Sequence, residues 1–195
     1  EKGRSFLRNT SCLFITFGTA WVYRWNIDNR IVANCHKIPA REFTRFLLKP
    51  AEITAIYDKL ITKLRDFNND LKIIFTLSPV RHLKDGAHGN QVSKSTLLLA
   101  IEDLMANDKN LSYFPSYEIM LDELRDYRFY KKDMVHPSET AVEYIWKKLK
   151  ETYFEPEAVS TYDRLIKIAE AKEHRITEID SPGVEAFKKS ILRKI

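Results

Sequence analysis

The stretch Leu71-Lys72-Ile73-Ile74-Phe75-Thr76-Leu77-Ser78-Pro79 decides the fold class. Apart from Lys72 it is a short run of apolar and β-branched residues that stops at a Ser-Pro pair. A strand whose two faces both meet apolar layers has this composition. Leu13-Phe14-Ile15-Thr16-Phe17 repeats the pattern and stops at Gly18. Between the two runs, Pro50 opens a helix in which Ile53, Ile56, Tyr57, Leu60, Ile61, Leu64 and Phe67 recur at steps of three and four. That spacing gives one apolar stripe, and Asn68-Asn69-Asp70 ends it.

The alternation continues outward from this unit. Leu97, Leu98, Ile101 and Met105 mark a second helix, Leu111 to Phe114 a third strand, and Ile119 to Leu124 a short helix. Pro137-Ser138 then opens a helix carrying Val142, Ile145, Trp146 and Leu149. Strand and helix in turn, with short joints, predict an α/β fold: a three-layer, doubly wound, mainly parallel sheet. Such sheets bind ligands beyond the carboxyl ends of their strands. Gly18, Ser78 to Asn90 and Asp133 to His136 are therefore expected along one edge. A small hairpin is expected from Trp21 to Arg24 and Ile31 to Ala33, around Asn26-Ile27-Asp28-Asn29. Beyond Phe154 the chain turns polar. Pro156 to His174 reads as an amphipathic helix, and Ser181-Pro182-Gly183 separates it from a basic last helix. The expected division is an α/β domain over residues 1–154 and a helical extension over 155–195.

Composition narrows the function classes. In 195 residues, 44% hydrophobic and 12% aromatic, a packed core is expected rather than disorder. The 32 Lys and Arg nearly balance the 27 Asp and Glu, leaving a net charge of +5. Most interleave with acids, as in Lys147-Lys148-Leu149-Lys150-Glu151, and read as solvated helix surface, so no nucleic-acid partner is expected. Lys188-Lys189 and Arg193-Lys194 form the one lopsided stretch. No apolar run approaches the ~20 residues of a membrane span. Two cysteines, Cys12 and Cys35, make no disulfide framework, which favours a reducing compartment such as the cytoplasm. The chain opens at Glu1, so a segment removed from its N-terminus is expected rather than excluded.

Asp133-Met134-Val135-His136-Pro137 is the sharpest chemical signal. A histidine serves as general base when a carboxylate holds its other ring nitrogen and fixes the tautomer. An Asp three residues earlier can do this within one turn, although the spacing alone is common. The Arg81–Asn90 loop collects Arg81, His82, Asp85, His88 and Asn90 as candidate substrate-binding residues. Arg81 suits a carboxylate or phosphate, with helix amides near Val92 as a second anion-binding element. His82, Asp85 and His88 invite a zinc reading, but their spacing matches no common pattern and Gly86 and Gly89 interrupt any helix there; no metal or other cofactor is expected. Asp85 and Asn90 equally suit a turn and a helix cap. Adjacent Cys35 and His36 point to opposite faces of an extended segment. Trp21, Tyr23 and Trp25 alternate as in a strand, suited to packing or to stacking on a sugar.

Ile15-Thr16-Phe17-Gly18-Thr19-Ala20-Trp21-Val22-Tyr23, Ala33-Asn34-Cys35-His36-Lys37, the run from Ser78 to Lys94, and Tyr113-Phe114-Pro115-Ser116-Tyr117-Glu118-Ile119-Met120 are long, unusual strings. With the Asp133–His136 motif, they make residues 11–150 resemble the GSCFA family, which is similar to the wider SGNH-hydrolase group. The resemblance implies that His136 is the general base and Asp133 its orienting carboxylate. It also matches Gly18 to the glycine after the third strand of that fold. Two departures stand out. Gly-x-Asn-Asp becomes Gly18-Thr19-Ala20-Trp21, so the oxyanion asparagine is missing from its usual place, with Asn34 as a candidate substitute beside Gly18. The naming motif Gly-Ser-Cys-Phe-Ala is only mimicked by Ser11-Cys12-Leu13-Phe14, whose serine enters a strand from the wrong end; Ser5 lacks the glycine context. The nucleophile is expected upstream of Glu1. The implied activity is hydrolysis or transfer of a small or glycan-linked acyl ester. The rival reading is a non-catalytic carbohydrate- or anion-binding module on the same fold.

Overall fold

The computed structural model describes residues 2–32, 34–35 and 37–173. The expected break at Ser181-Pro182-Gly183, the basic last helix, and the positions Ala33 and His36 lie outside the described residues. The chain divides into two compact units, Glu1–Ile145 and Trp146–Ile195.

The first unit carries a parallel sheet of β1 (Cys12–Phe17), β5 (Lys72–Leu77) and β6 (Leu111–Phe114), in the order β1-β5-β6. Registers pair Phe17 with Leu77 and Thr76 with Phe114. The residues that leave the three strands, Gly18, Ser78 and Pro115, therefore emerge along the same edge. β5 is the central strand, and its unbroken apolar run has the expected cause. Ile73, Phe75 and Leu77 are fully buried within the main core, while Ile74 is 4% exposed outside that cluster. On the Ile74 side, Thr76 Oγ1 and Ser116 Oγ lie 2.7 Å apart, and Ser116 Oγ donates to the Leu77 carbonyl. One polar pair is thereby satisfied inside the layer formed by the following segment.

Two helices cover the Phe75 face: α2 (Pro50–Phe67) and α3 (Gly86–Ala106). At the start of α2, Pro50 sits at the first turn and Glu52 Oε2 accepts the Lys49 N–H at 2.7 Å, satisfying a donor that the helix leaves orphaned. Phe17 packs edge-on to Tyr57 at 4.7 Å and stacks on Phe75 at 5.6 Å between ring centres, joining β1, α2 and β5 through one aromatic group.

Between β1 and α2 lies a small antiparallel sheet, β3-β2-β4, made of β2 (Trp21–Trp25), β3 (Ile31–Val32) and β4 (Phe43–Leu47). The hairpin was expected; β4 was not. Its sequence, Phe-Thr-Arg-Phe-Leu, mixes polar and apolar residues because the sheet is only partly buried. The remaining helices are α1 (Lys2–Arg8), the short α4 (Ser116–Glu118), α5 (Glu139–Tyr153) and α6 (Pro156–Glu173). A wide π-type turn over Ile119–Glu123 stands where the short helix was expected. In the second unit, Trp146 packs its ring against Phe154 at 5.8 Å and Tyr162 at 5.5 Å, and Lys150 Nζ bonds Asp163 at 3.0 Å. No described helix is long and apolar enough to cross a membrane.

The start of α3 corrects the sequence reading. Gly86 and Gly89 do not interrupt the helix, which begins at Gly86 after a 3-10 turn over Leu83–Asp85. Gly86 takes a left-handed φ of 66°, which lets the chain swing from one turn into the next. A β-carbon on Gly89 would come within 3.1 Å of Asp85 Cβ, so the tight junction needs a glycine there too. Starting early places Asn90, Ser93 and Lys94 on the buried face of α3, in line with Leu97, Ile101 and Leu104.

Lys94 is the most consequential of these. It is fully buried, and its Nζ donates to the Gly18 carbonyl at 2.7 Å and the Ser78 carbonyl at 2.6 Å. The ends of β1 and β5 are thus tied to one ammonium group, which also lies 5.6 Å from the centre of the Tyr117 ring. Burial pushes Lys94 down to about 8. A neutral amine still has enough N–H groups for both carbonyls, so deprotonation keeps the tie and removes the cost of a buried charge. The unfolded chain holds this proton up to its ordinary value, so stability rises with pH between about 8 and 10.5. We predict that unfolding of the wild type, relative to a Lys94→Met variant, becomes harder across that window by up to about 3 kcal/mol. At pH 7 the variant is destabilised by about 2–4 kcal/mol, because two buried carbonyls lose their donor. Denaturant titrations of both proteins at several pH values check the sign; a flat difference contradicts it.

Candidate functional site at the carboxyl edge of the sheet

α3 gathers the loops of this edge through its first three turns. Asn90 Oδ1 accepts the His82 N–H at 3.0 Å. Ser93 Oγ accepts the Ala20 N–H at 2.8 Å and lies 2.9 Å from Thr19 Oγ1. Tyr117 O–H donates to Gln91 Oε1 at 2.6 Å. Together with Lys94, these bonds fix Gly18 to Ala20, Ser78 to His82, and Tyr117 against one helix. Sequence reading passed over Gln91, Ser93 and Lys94. The available signal was the apolar stripe of α3, which extended back by two turns lands on polar residues that must then lie inside.

The Asp133 loop joins the same edge. The Arg81 N–H donates to the Val135 carbonyl at 3.2 Å, and Arg81 Nη1 reaches the Met134 carbonyl at 3.5 Å. The loop is built as a tight turn: Asp133 Oδ1 accepts the N–H groups of Val135 at 2.9 Å and His136 at 3.0 Å. Met134, at the turn's tip, takes a φ of 60°, a conformation a non-glycine residue adopts only when its surroundings hold it there. A bridge between Tyr130 and Pro137 and the Lys131 N–H bond to the His136 carbonyl close the base of the loop. Pro137 therefore belongs to this bridge rather than to the helix. α5 begins at Glu139, with Ser138 Oγ accepting the Ala141 N–H at 3.3 Å as its cap.

The other carboxylate oxygen, Asp133 Oδ2, lies 2.7 Å from His136 Nδ1. The His136 and Val135 main-chain N–H groups, followed by the His136 ring, hold the Asp133 carboxyl down at about 2. An ionised carboxylate can only accept, so Nδ1 carries the proton of this bond, and Nε2 is the ring's acceptor whenever the imidazole is uncharged. The His136 side chain is 56% exposed, and no hydrogen bond to Nε2 occurs among the described residues. An imidazole held in this way can take up a proton at Nε2.

The other candidates separate into two groups. His82 lies beside Gly18: a β-carbon there would be 3.9 Å from its Nε2. Burial and the neighbouring Lys94 ammonium push its imidazole towards the neutral form, and Asp85 opposes them. Asp85 itself turns inward. Its side chain is only 4% exposed and pairs with Arg45 of β4 at 2.6 Å, tying the small sheet to the start of α3. Asn90 is buried and spent on His82, so it positions the loop rather than facing a ligand. His88 is exposed on α3, and Asn34 lies in an exposed bend just past β3. Among the described residues no three His, Cys, Asp or Glu side chains are grouped to hold a metal ion. The aromatic faces of the small sheet are covered by cations, Arg45 over Trp21 at 4.2 Å and Arg30 over Trp25 at 5.2 Å. Ser11 precedes β1 at the amino edge, roughly 20 Å from Gly18 at ~3.3 Å per strand residue.

Because main-chain donors dominate the Asp133 environment, we predict that its carboxyl stays well below 3.8 in a His136→Ala variant. The contribution of this turn to stability is present above the ordinary carboxylate value and is lost as pH falls through about 2. An NMR titration of the Asp133 carboxyl carbon in both proteins tests this. A return to the ordinary value in the variant would show that the imidazole, not the turn, sets the site.

A search among curated proteins finds no match. The model of the GSCFA family matches residues 1–149, a span that includes every residue of the edge just described. The sequence strings, the parallel sheet and the Asp133–His136 loop thus converge with an independent comparison: the chain belongs to the GSCFA family.

Proposed function

We propose that the domain hydrolyses or transfers acyl groups held in ester linkage, with His136 as general base and Asp133 as its orienter. The Asp133 Oδ2 to His136 Nδ1 bond at 2.7 Å, on an exposed ring whose Nε2 has no described hydrogen bond, carries this reading. No described hydroxyl bonds His136 Nε2, and Ser5 and Ser11 belong to the opposite end of β1, so in this reading the serine that His136 activates is supplied from outside residues 1–195. Attack on the ester carbonyl gives a tetrahedral oxyanion, which needs donors fixed before the charge develops. Gly18 N–H is one. His82 Nε2 is the second: it faces Gly18, burial and Lys94 favour its neutral form, and in the Nε2–H tautomer that this role requires a neutral imidazole donates. It takes the place of the asparagine missing from Gly18-Thr19-Ala20-Trp21. Asn34, exposed beyond β3, is the weaker candidate.

The rival is a binding module that keeps the edge without chemistry, and the specific observation in its favour is that no described hydroxyl bonds His136 Nε2. Kinetics separate the two. In the full-length protein, His136→Ala should lower kcat for an activated acetyl ester by at least about 10²-fold. His82→Ala should lower kcat by about 10²–10³-fold with little change in KM. Residues 1–195 alone should be inactive. A full-length protein indifferent to both substitutions supports the binding module. Activity in the short chain that vanishes with His136→Ala places the nucleophile within it.

A further inference from the structure

Arg81 combines three properties that suit a side chain used by a ligand. Its position is fixed at both ends, by the main-chain bond to Val135 at 3.2 Å and by the reach of Nη1 to the Met134 carbonyl at 3.5 Å. Its guanidinium lies over the Tyr130 ring at 4.0 Å and within 5.9 Å of Tyr127, contacts that restrain it without using up its N–H groups. No carboxylate lies within ion-pair distance of it among the described residues, although Arg45 and Arg65, each on an element of the same unit, are paired with Asp85 and Asp108. Asp133 is the nearest acid in the loop that Arg81 grips. Yet everything that holds its carboxyl low comes from Val135 and His136, and Arg81 does not contribute. Lys131 and Lys132 lie exposed on the same loop, so the local field favours a negative ligand.

We propose that Arg81 receives an oxyanion group, a carboxylate or phosphate, borne by the acyl ester that His136 acts on. The placement rests on the acyl-transfer reading; the anion site itself does not. A planar guanidinium offers two parallel N–H groups, the geometry that carboxylate and phosphate oxygens accept best. Arg81 is bonded to the two residues that precede His136, so an anion on it fixes the substrate relative to Nε2. Charge on the substrate then serves orientation, and neutral esters of the same reactivity are poor substrates.

The experiment has two arms. In the first, full-length protein hydrolyses three matched esters: phenyl acetate, 4-acetoxybenzoate and 4-acetoxyphenyl phosphate. The wild type should prefer one of the charged esters over phenyl acetate by at least about tenfold in kcat/KM, and that ester identifies which oxyanion is used. Arg81→Gln should erase the preference, and Arg81→Lys should restore only part of it because the ammonium neither stacks nor bonds in parallel. In the second arm, benzoate and inorganic phosphate are titrated into the full chain and followed by the NMR signals of His136 and Val135. Shifts that saturate in the wild type and in Arg81→Lys, and vanish in a folded Arg81→Gln, support the site. Equal rates on neutral and charged esters in all three proteins overturn the proposal, as do identical titrations in Arg81→Gln and the wild type. If no ester is cleaved by any form, the acyl-transfer reading fails while the titrations alone decide the anion site.

Discussion

A buried ammonium group holds this edge together. Lys94 reaches the Gly18 and Ser78 carbonyls from inside the protein, and both belong to loops that leave the carboxyl ends of strands. A backbone loop at the end of a strand has no ladder to hold it. Here a single side chain from α3 supplies the missing bonds to two loops at once, and Asn90, Gln91 and Ser93 extend the same support to their neighbours. Burying a charge to do this is costly, which explains the low proton affinity of Lys94. The cost sits beside the candidate oxyanion pocket. It also tilts His82 towards neutrality, so one residue shapes both the geometry and the electrostatics of the site.

The Asp133 loop shows the opposite economy: it is exposed and owes its shape almost entirely to itself. One carboxylate oxygen closes the turn through two main-chain N–H groups, and the other orients the imidazole. The left-handed Met134 at its tip is held by that turn and by Arg81. A buried scaffold on one side and a self-contained turn on the other meet through Arg81, which is bonded to the second and emerges from the loop secured by the first.

How much of this was legible follows from physical range. β1, β5, β6 and α2 were readable because local composition and period determine them: the run at Leu71–Leu77 is apolar on both faces, and the α2 stripe is regular although Ile56 and Leu60 stay exposed. β1 was expected to be buried on both sides, but it ends the described sheet and leaves Phe14 and Thr16 exposed. The Asp133–His136 bond was readable because both partners lie within one turn. β4 was not, because Phe43 to Leu47 pairs with residues more than a loop away and keeps a mixed surface. The start of α3 was misread because glycine ordinarily disfavours helix, whereas here Gly86 makes the turn and Gly89 permits the close approach to Asp85. His82 and Asp85 were grouped by sequence spacing, but the 3-10 turn sends one towards Gly18 and the other towards Arg45. Partners distant in sequence decide each of these cases.

The most direct measurement is a structure of the full-length protein after reaction with an activated phosphonate ester, a mimic of the tetrahedral intermediate. The account predicts a covalent adduct on a serine within hydrogen-bond distance of His136 Nε2, with the phosphoryl oxygen between Gly18 N–H and His82 Nε2. An adduct at the amino edge of the sheet, or a phosphoryl oxygen turned away from Gly18 and His82, would contradict it.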